Sequence, residues 1–417
     1  MPQATRSRPS LQPLDEALAA LLAHAEPGLE RERVSALDAD GRVLAEDVVS
    51  ALDVPPQDNS AMDGYAVRVQ DCASGHAELP VSQRIVAGSS GVALAPGTAA
   101  RIFTGAPIPP GADAVVMQED TESLDAGARV QINVAPAAGS AIRRAGEDIR
   151  RGAVLLPRGT RLTPASVGLA AGIGLAQLPV ARRPRVALLQ TGDELVTPGT
   201  VAPQDMKPGA IYNSNRFFLR ALLQRLGCEI NDRGVVPDDR DATLRALADA
   251  AADSDVVLTS GGVSVGDEDH VKPAVKQLGQ LDLWQLAIKP GKPFAYGQIR
   301  QPAHAVHFIG LPGNPVSSFV TFLLLVRPFL LKLQGATDVS APMLSLRADF
   351  SHTRVIGRRD FLRARRNEGG GLELFPNQSS GVLTSMHWAD GLVDKAAGSA
   401  IHVGDVVPFL PFSALLS

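Results

Sequence analysis

Leu14, Ala17, Leu18, Leu21 and Leu22 recur at helical spacing and predict a short amphipathic helix that stops before the Pro27, Gly28 break. From Asp53 to about Ala141 the pattern changes to short β-prone runs, Tyr65 to Val69, Ala100 to Thr104, Ala114 to Gln118 and Arg129 to Val134, punctuated by Gly and Pro. Turns follow Arg143, and the uncharged stretch Leu162 to Ala181 is long enough to span a bilayer but too rich in Ala and Gly to favour one. It reads as a soluble helix with Thr163 as N-cap and Pro164 at the first helical position, then a turn into a strand. From Arg185 to about Gly335, strand and helix patterns alternate: strand 185–190, helix 214–226, strand 228–235, helix 241–251, strand 255–259, helix 269–278, the run 283–288, strand 306–309 and helix 316–333. Such alternation predicts a doubly wound, mostly parallel sheet with helices on both faces. The remainder shows short strands, such as Gly371 to Phe375 and Val403 to Phe409, with no clear helix.

The expected fold class is therefore multidomain α/β plus β. A linker-like N-terminal domain in two segments, 10–52 and 142–182, carries an inserted β-rich domain at 53–141. An αβ domain at 183–335 and a barrel-like or sandwich β domain at 336–417 follow. The length of 417 residues agrees, since about 150 residues per domain suggests about three compact units. Hydrophobic residues make up 45% and charged residues 20%, which excludes a disordered chain. With 40 basic against 44 acidic residues, no basic excess points to nucleic acid or an anionic membrane. Cys72 and Cys228 are the only cysteines and have no paired spacing, so a disulfide framework and a cysteine-ligated metal are disfavoured and the compartment reads as reducing. The N-terminus has no apolar signal region, consistent with a cytoplasmic protein.

In an open α/β sheet, ligands bind outside the carboxyl ends of the strands. Here those ends lead into Thr191, Gly192, Asp193, Glu194; into Pro237, Asp238, Asp239; into SGGVSVGDED at 260–269; into KPGKP at 289–293; and into GLPGNPVS at 310–317. In SGGVSVG, Ser260, Gly261, Gly262, Ser264 and Gly266 stand between a strand and a helix, where missing Cβ atoms let backbone N–H groups approach a phosphate. The run matches neither GxGxxG nor GxxxxGK[ST], so a dinucleotide redox cofactor and a P-loop are unsupported. Pro312, Gly313, Asn314 and Pro315 form a similar turn, in which Asn314 and the pair Ser317, Ser318 could equally cap the next helix. Seven residues are Lys, yet Lys289 and Lys292 share one proline-bounded loop, which suits an anionic ligand. Asp193, Glu194, Asp238, Asp267, Glu268 and Asp269 crowd the same edge and imply a hard cation, magnesium rather than zinc, because no HExxH-like histidine spacing exists. Asp269 could instead be a favourable charge at a helix start.

DNSAMDGYAVR at 58–68, RIFTGAPIPPGADAVVMQED at 101–120, RRAGEDIRRG at 143–152, TGDEL at 191–195, SGGVSVGDED, IKPGKPFAYG at 288–297, GLPGNPVSSF at 310–319, GRRDFLRAR at 357–365 and NQSSGVLTSM at 377–386 resemble the molybdopterin molybdenumtransferases, the family that includes the C-terminal domain of gephyrin. The resemblance runs from about residue 10 to the end. It implies insertion of molybdate into adenylylated molybdopterin with release of AMP, an αβ domain that binds the pterin nucleotide, magnesium as cofactor, and a homodimer with a shared site. By motif, Asp63, Thr104, Asp148, Glu194 and Asp269 carry over as catalytic positions; the crowding of negative charge, and not the motif, makes Asp63, Glu194 and Asp269 the candidate metal ligands, with the roles of Asp63 and Glu194 exchangeable. Asp238, Pro312 and Pro315 carry over as ligand-binding positions, beside Ser260, Gly261, Gly262, Ser264, Gly266, Lys289, Lys292, Gly313 and Asn314, which the strand-end loops themselves suggest. His270 departs from the pattern, where an aromatic Tyr is expected. Contacts with the upstream adenylyltransferase and with recipient molybdoenzymes are further implications. The alternatives are the adenylyltransferase itself, similar to the αβ domain alone, and a gephyrin-like scaffold without turnover; the matching β domains and the absence of a preceding domain count against them.

Overall fold

A computed structural model of the chain describes residues 11–262, 270–302 and 304–416. Its contacts divide it into two bodies: Met1–Glu46, Arg158–Thr163 and Gln177–Ser417 form the larger, and Asp47–Pro157 with Pro164–Ala176 the smaller.

The smaller body holds a six-stranded sheet whose order is 114–117, 64–67, 99–102, 77–85, 129–132, 121–124. All neighbours are antiparallel except 77–85 with 99–102. Tyr65, Val67, Val116, Val130 and Ile132 fill one core, and Ala66, Ile85, Ile102 and Val115 a second. Consecutive residues of one strand thus serve opposite faces, as the pleat requires. Two short ladders, 48–49 with 154–156 and 59–60 with 142–143, join the segments that flank this sheet. The helix Pro164–Gly172 starts on its proline as expected.

In the larger body, Leu14–Ala23 is helical and buries Leu14, Ala17 and Leu21, the positions set by the helical period. The alternating region forms β1 (Arg185–Thr191), α1 (Ser214–Arg225), β2 (Glu229–Val236), α2 (Arg240–Ala252), β3 (Val256–Ser260), α3 (Val271–Leu278), β4 (Gly279–Gln285), β5 (Pro293–Arg300), β6 (Ala305–Leu311), α4 (Pro315–Thr321) and α5 (Arg327–Leu333). The sheet order is β2-β1-β3-β6-β5-β4. The first four strands are parallel, and β5 runs antiparallel to both neighbours. Val186 and Leu188 of β1, with Val256 and Leu258 of β3, pack beside Leu219 and Leu223 of α1 and Val316 and Val320 of α4. Ala187, Leu189 and Val257 pack beside Leu247 of α2 and Val275 of α3. Helices therefore cover both faces, which is the doubly wound arrangement.

Strand β5 is absent from the sequence pattern because Pro293 opens it and Gly297 interrupts it, and both residues argue against a strand. The ladder itself demands that glycine: a Cβ on Gly297 would lie 2.4 Å from the Gln280 carbonyl of β4. α4 and α5 join through a π-helical turn at Phe322–Val326. The run Pro315–Leu333 is apolar enough to cross a membrane, with mean hydropathy 1.8, yet it is 83% buried and serves as a core helix.

The C-terminal sheet follows the order 288–289, 359–366, 391–395, 406–411, 344–347, with 372–374 beside 359–366. A bridge from Ala348 to Leu372 brings its last strand back to that side strand, so the sheet curls into a barrel-like ring around Leu362, Leu372, Val393, Val407 and Phe409. Two short helices, Thr384–Trp388 and Phe412–Leu415, stand where the sequence shows none. They span about one turn each, too short for an amphipathic period to emerge.

Candidate functional site

In the sheet order, β1 has β2 on one side and β3 on the other, so the connections leave in opposite directions and open a crevice at the carboxyl ends. A cleft of about 580 Å³ lies there, a size suited to a small organic ligand. β1 and the turn after it contribute Gln190, Thr191 and Glu194; β3 and its following turn contribute Ser260, Gly261 and Gly262; the turn after β6 contributes Pro312 to Pro315. Asn213 to Asn215, at the start of α1, form the remaining side. Asn215 fastens these parts: its Nδ2 donates to Ser260 Oγ at 2.7 Å and to the Gly313 carbonyl at 2.8 Å. Ser260 Oγ donates in turn to the Pro312 carbonyl at 3.3 Å, and the Gly261 N–H donates to Leu311. Gly261 has φ +96°, and a Cβ there would stand 3.0 Å from the Thr191 carbonyl. Glycine is thus required for the backbone of this turn to lie so close to β1. The N-terminus of α1, with its outward N–H groups, adds positive potential on the same side.

The structure brings together in this cleft Glu194, Ser260, Gly261, Gly262, Pro312, Gly313, Asn314 and Pro315. Ser264, Gly266, Asp267, Glu268 and Asp269 lie outside the described residues. Asn314 occupies the N-cap position of α4 but makes no side-chain cap, so the capping expectation fails for it. Asp238 is not among the residues lining the cleft. It and Asp193 lock two strand-end turns together: the Asp238 N–H donates to Asp193 Oδ1 at 3.0 Å and the Asp193 N–H to Asp238 Oδ2 at 3.2 Å. Asp239 caps α2 through the Ala242 N–H.

Lys289 and Lys292, expected to face one anionic ligand, are differently placed. Residues 288–289 pair with Arg359 and Asp360, and the ammonium sits 3.2 Å from the buried Asp360 carboxylate. It lines a separate cavity of about 710 Å³ beside His352, Arg354 and Ser379. Lys292 is exposed and has no ion-pair partner among the described residues. Gln190, Asn213, Asn215 and Gly381 line the cleft without having been recognised from sequence; the polar run Asn213, Ser214, Asn215 before a helix was the available signal for two of them.

In the smaller body, Asp63 Oδ1 accepts the N–H and the hydroxyl of Thr104, both at 2.8 Å. The backbone bond first, then the hydroxyl, and then the nearby Arg101 guanidinium hold this carboxyl below the usual carboxylate range. Asp148 is exposed, its N–H bonded to the Val54 carbonyl at 3.0 Å. Among the described residues no three His, Cys, Asp or Glu side chains converge as a metal-ligand set. Glu194 is the carboxylate that lines the cleft, and no His or Cys lines it among the described residues; a lone carboxylate with waters and substrate phosphates is the kind of donor set that magnesium takes, whereas zinc sites draw mostly on His and Cys.

Three family descriptions match the chain: the MoeA N-terminal region (domains I and II) over residues 12–174, the probable molybdopterin binding domain over 187–332, and the MoeA C-terminal region (domain IV) over 345–412. The chain is 39% identical over 415 residues to a molybdopterin molybdenumtransferase of Haemophilus influenzae, covering 97% of this chain and 99% of that protein. It is 38% identical to the one from Nostoc, covering 89% of this chain and 81% of that protein. A crystal structure of a molybdopterin biosynthesis MoeA protein from Pyrococcus horikoshii superposes with TM-score 0.77 and 32% identity, over 97% of this chain and 99% of the other.

Proposed function

The chain belongs to the molybdopterin molybdenumtransferase family, enzymes of molybdenum cofactor biosynthesis, and from that premise we propose that it inserts molybdate into adenylylated molybdopterin, yielding molybdenum cofactor and AMP. The observation that carries the reading is the cleft at the strand-order reversal, where Gly261 leaves no Cβ between the turn and β1 and the first N–H groups of α1 face an anionic nucleotide. In the reaction, the two dithiolene thiols pass their protons to one molybdate oxygen, which leaves as water while two Mo–S bonds form, and a water oxygen attacks the anhydride phosphorus so that the P–O bond breaks and AMP leaves. Negative charge gathers on phosphate and oxyanion, so donors fixed in advance stabilise it without reorganising.

Glu194, at the mouth of the cleft, is the group we assign to hold magnesium or take up a proton. Asp63 is held ionised by Thr104, which makes it a weak base near neutral pH and suits it to fix charge or a metal rather than to move protons. Asp148, Asp238 and Asp269 keep the roles that the family motif implies, and Lys292 is the cation assigned to the nucleotide, since Lys289 is paired with Asp360. Bound magnesium would neutralise substrate phosphate. We further propose a homodimer in the cytoplasm that receives its nucleotide from the adenylyltransferase and passes cofactor to recipient enzymes. The test is to combine the protein with adenylylated molybdopterin, magnesium and molybdate and to measure AMP release and activation of a cofactor-free molybdoenzyme. Nucleotide binding without AMP release would leave a binding scaffold instead.

A further inference from the structure

Gln190 is the penultimate residue of β1, paired in register with Ser260 of β3. It shares the strand face of Val186 and Leu188, lines the cleft and is 1% exposed. Among the described residues, neither its Oε1 nor its Nε2 has a hydrogen-bond partner. Asn213, 2% exposed and also lining the cleft, is in a related state: its Oδ1 accepts the Arg216 N–H at 3.1 Å, while its Nδ2 has no partner among the described residues. Buried side-chain amides are nearly always bonded, and an orphaned one lowers stability relative to an apolar residue of equal length. The neighbouring Asn215 shows what a purely structural amide does on this floor, with both bonds to the protein. Gln190 lacks such bonds at the point where the strand order reverses.

We propose that Gln190 is a specificity-determining residue that reads the hydrogen-bonding edge of the substrate heterocycle. Its Oε1 accepts from a ring N–H or exocyclic amine, and its Nε2 donates to the adjacent carbonyl or ring nitrogen. Asn213 Nδ2 supplies a further donor. The inference rests on the proposed function for what enters the cleft. The pterin and the adenine of the substrate both present a donor beside an acceptor, and a planar carboxamide complements either edge. Both amide atoms are enclosed in the structure, so reading the ligand requires the Gln190 side chain to rotate toward it as it enters.

Gln190→Met keeps the length and deletes both polar atoms; Gln190→Glu keeps acceptors and deletes the donor. On the full chain, thermal unfolding is recorded, and AMP and anaerobic molybdopterin are titrated separately by calorimetry. The Met variant is expected to unfold at a higher temperature and to bind one of the two ligands at least tenfold more weakly, with the other unchanged; the weakened ligand identifies the heterocycle. The Glu variant is expected to weaken the same one. Unchanged binding of both ligands, equal weakening of both, or a lower unfolding temperature for the Met variant overturns the assignment. Wild-type protein that binds neither ligand removes the substrate reading itself, and the inference with it.

Discussion

The charge on Asp63 is set chiefly by Thr104, which gives it two hydrogen bonds to the same oxygen, with Arg101 adding to the effect. A carboxyl held below its usual range favours the folded state above the unfolded pKa, and that contribution is lost as pH falls through the folded one. Thr104→Val removes the hydroxyl and leaves the larger backbone contribution, so the Asp63 pKa measured by NMR is expected to rise part of the way toward the ordinary value. An unchanged titration would show that the hydroxyl bond is not formed in solution. Asp63→Asn and Glu194→Gln keep shape and remove charge; each is expected to lower the rate of AMP release by about 10² to 10⁴ while leaving thermal stability nearly unaltered. Wild-type rates in both variants would reduce these carboxylates to a solvated rim. Residue identity made Asp63 and Glu194 legible through their motifs, whereas Gln190 was not, because its role depends on burial without a partner and no sequence pattern records that.

Among the elements, the strands of the alternating region were legible because β1, β3 and β6 are buried on both faces and read as continuous apolar runs. Ladders of two residues, 48–49 and 59–60 among them, carry no period to detect. Strand β5 was hidden by its own Pro and Gly, and its pairing with β6 has a consequence for pH. Tyr296 of β5 holds its hydroxyl 3.0 Å from Nδ1 of His307 of β6, and the Phe329 ring stands edge-on to the imidazole at 5.0 Å. Burial, and secondarily His24, push the His307 pKa down to about 4, against a small opposing pull from Asp255. Below the unfolded value of 6.5 the unfolded chain therefore binds a proton that the folded one refuses, and stability falls as pH drops until about 4. Between pH 7 and pH 5 this one residue costs about 2 kcal/mol. His307→Leu is expected to lose stability at pH 7 but to show a flatter pH dependence across that window in urea unfolding. A curve parallel to that of the wild type would place the acid sensitivity elsewhere.

At the scale of the molecule, the residues assigned to catalysis are distributed over both bodies. Asp63, Thr104 and Asp148 belong to the smaller, and Glu194 with the cleft to the larger. The sequence announced a β-rich insertion and a doubly wound domain, since each has its own hydrophobic period, but periodicity says nothing about which copies of the chain share a site. The proposed homodimer does, by having one subunit supply Asp63 and its partner supply Glu194 to the same substrate. Under that arrangement an Asp63→Asn dimer lacks the group in both sites, and so does a Glu194→Gln dimer. A mixed dimer differs: one of its two sites draws both defects and the other draws none. Unfolding is not required for the exchange, only subunit dissociation and reassociation, so mixing the two inactive variants at equal concentration is expected to restore AMP release to about one quarter of the wild-type rate, because about half of the dimers are mixed and each carries one intact site. Light scattering on the same samples should give the mass of two chains. A fully active monomer, or mixed dimers confirmed by mass tags that remain inactive, would confine the site to one chain and require Asp63 and Glu194 to act within it.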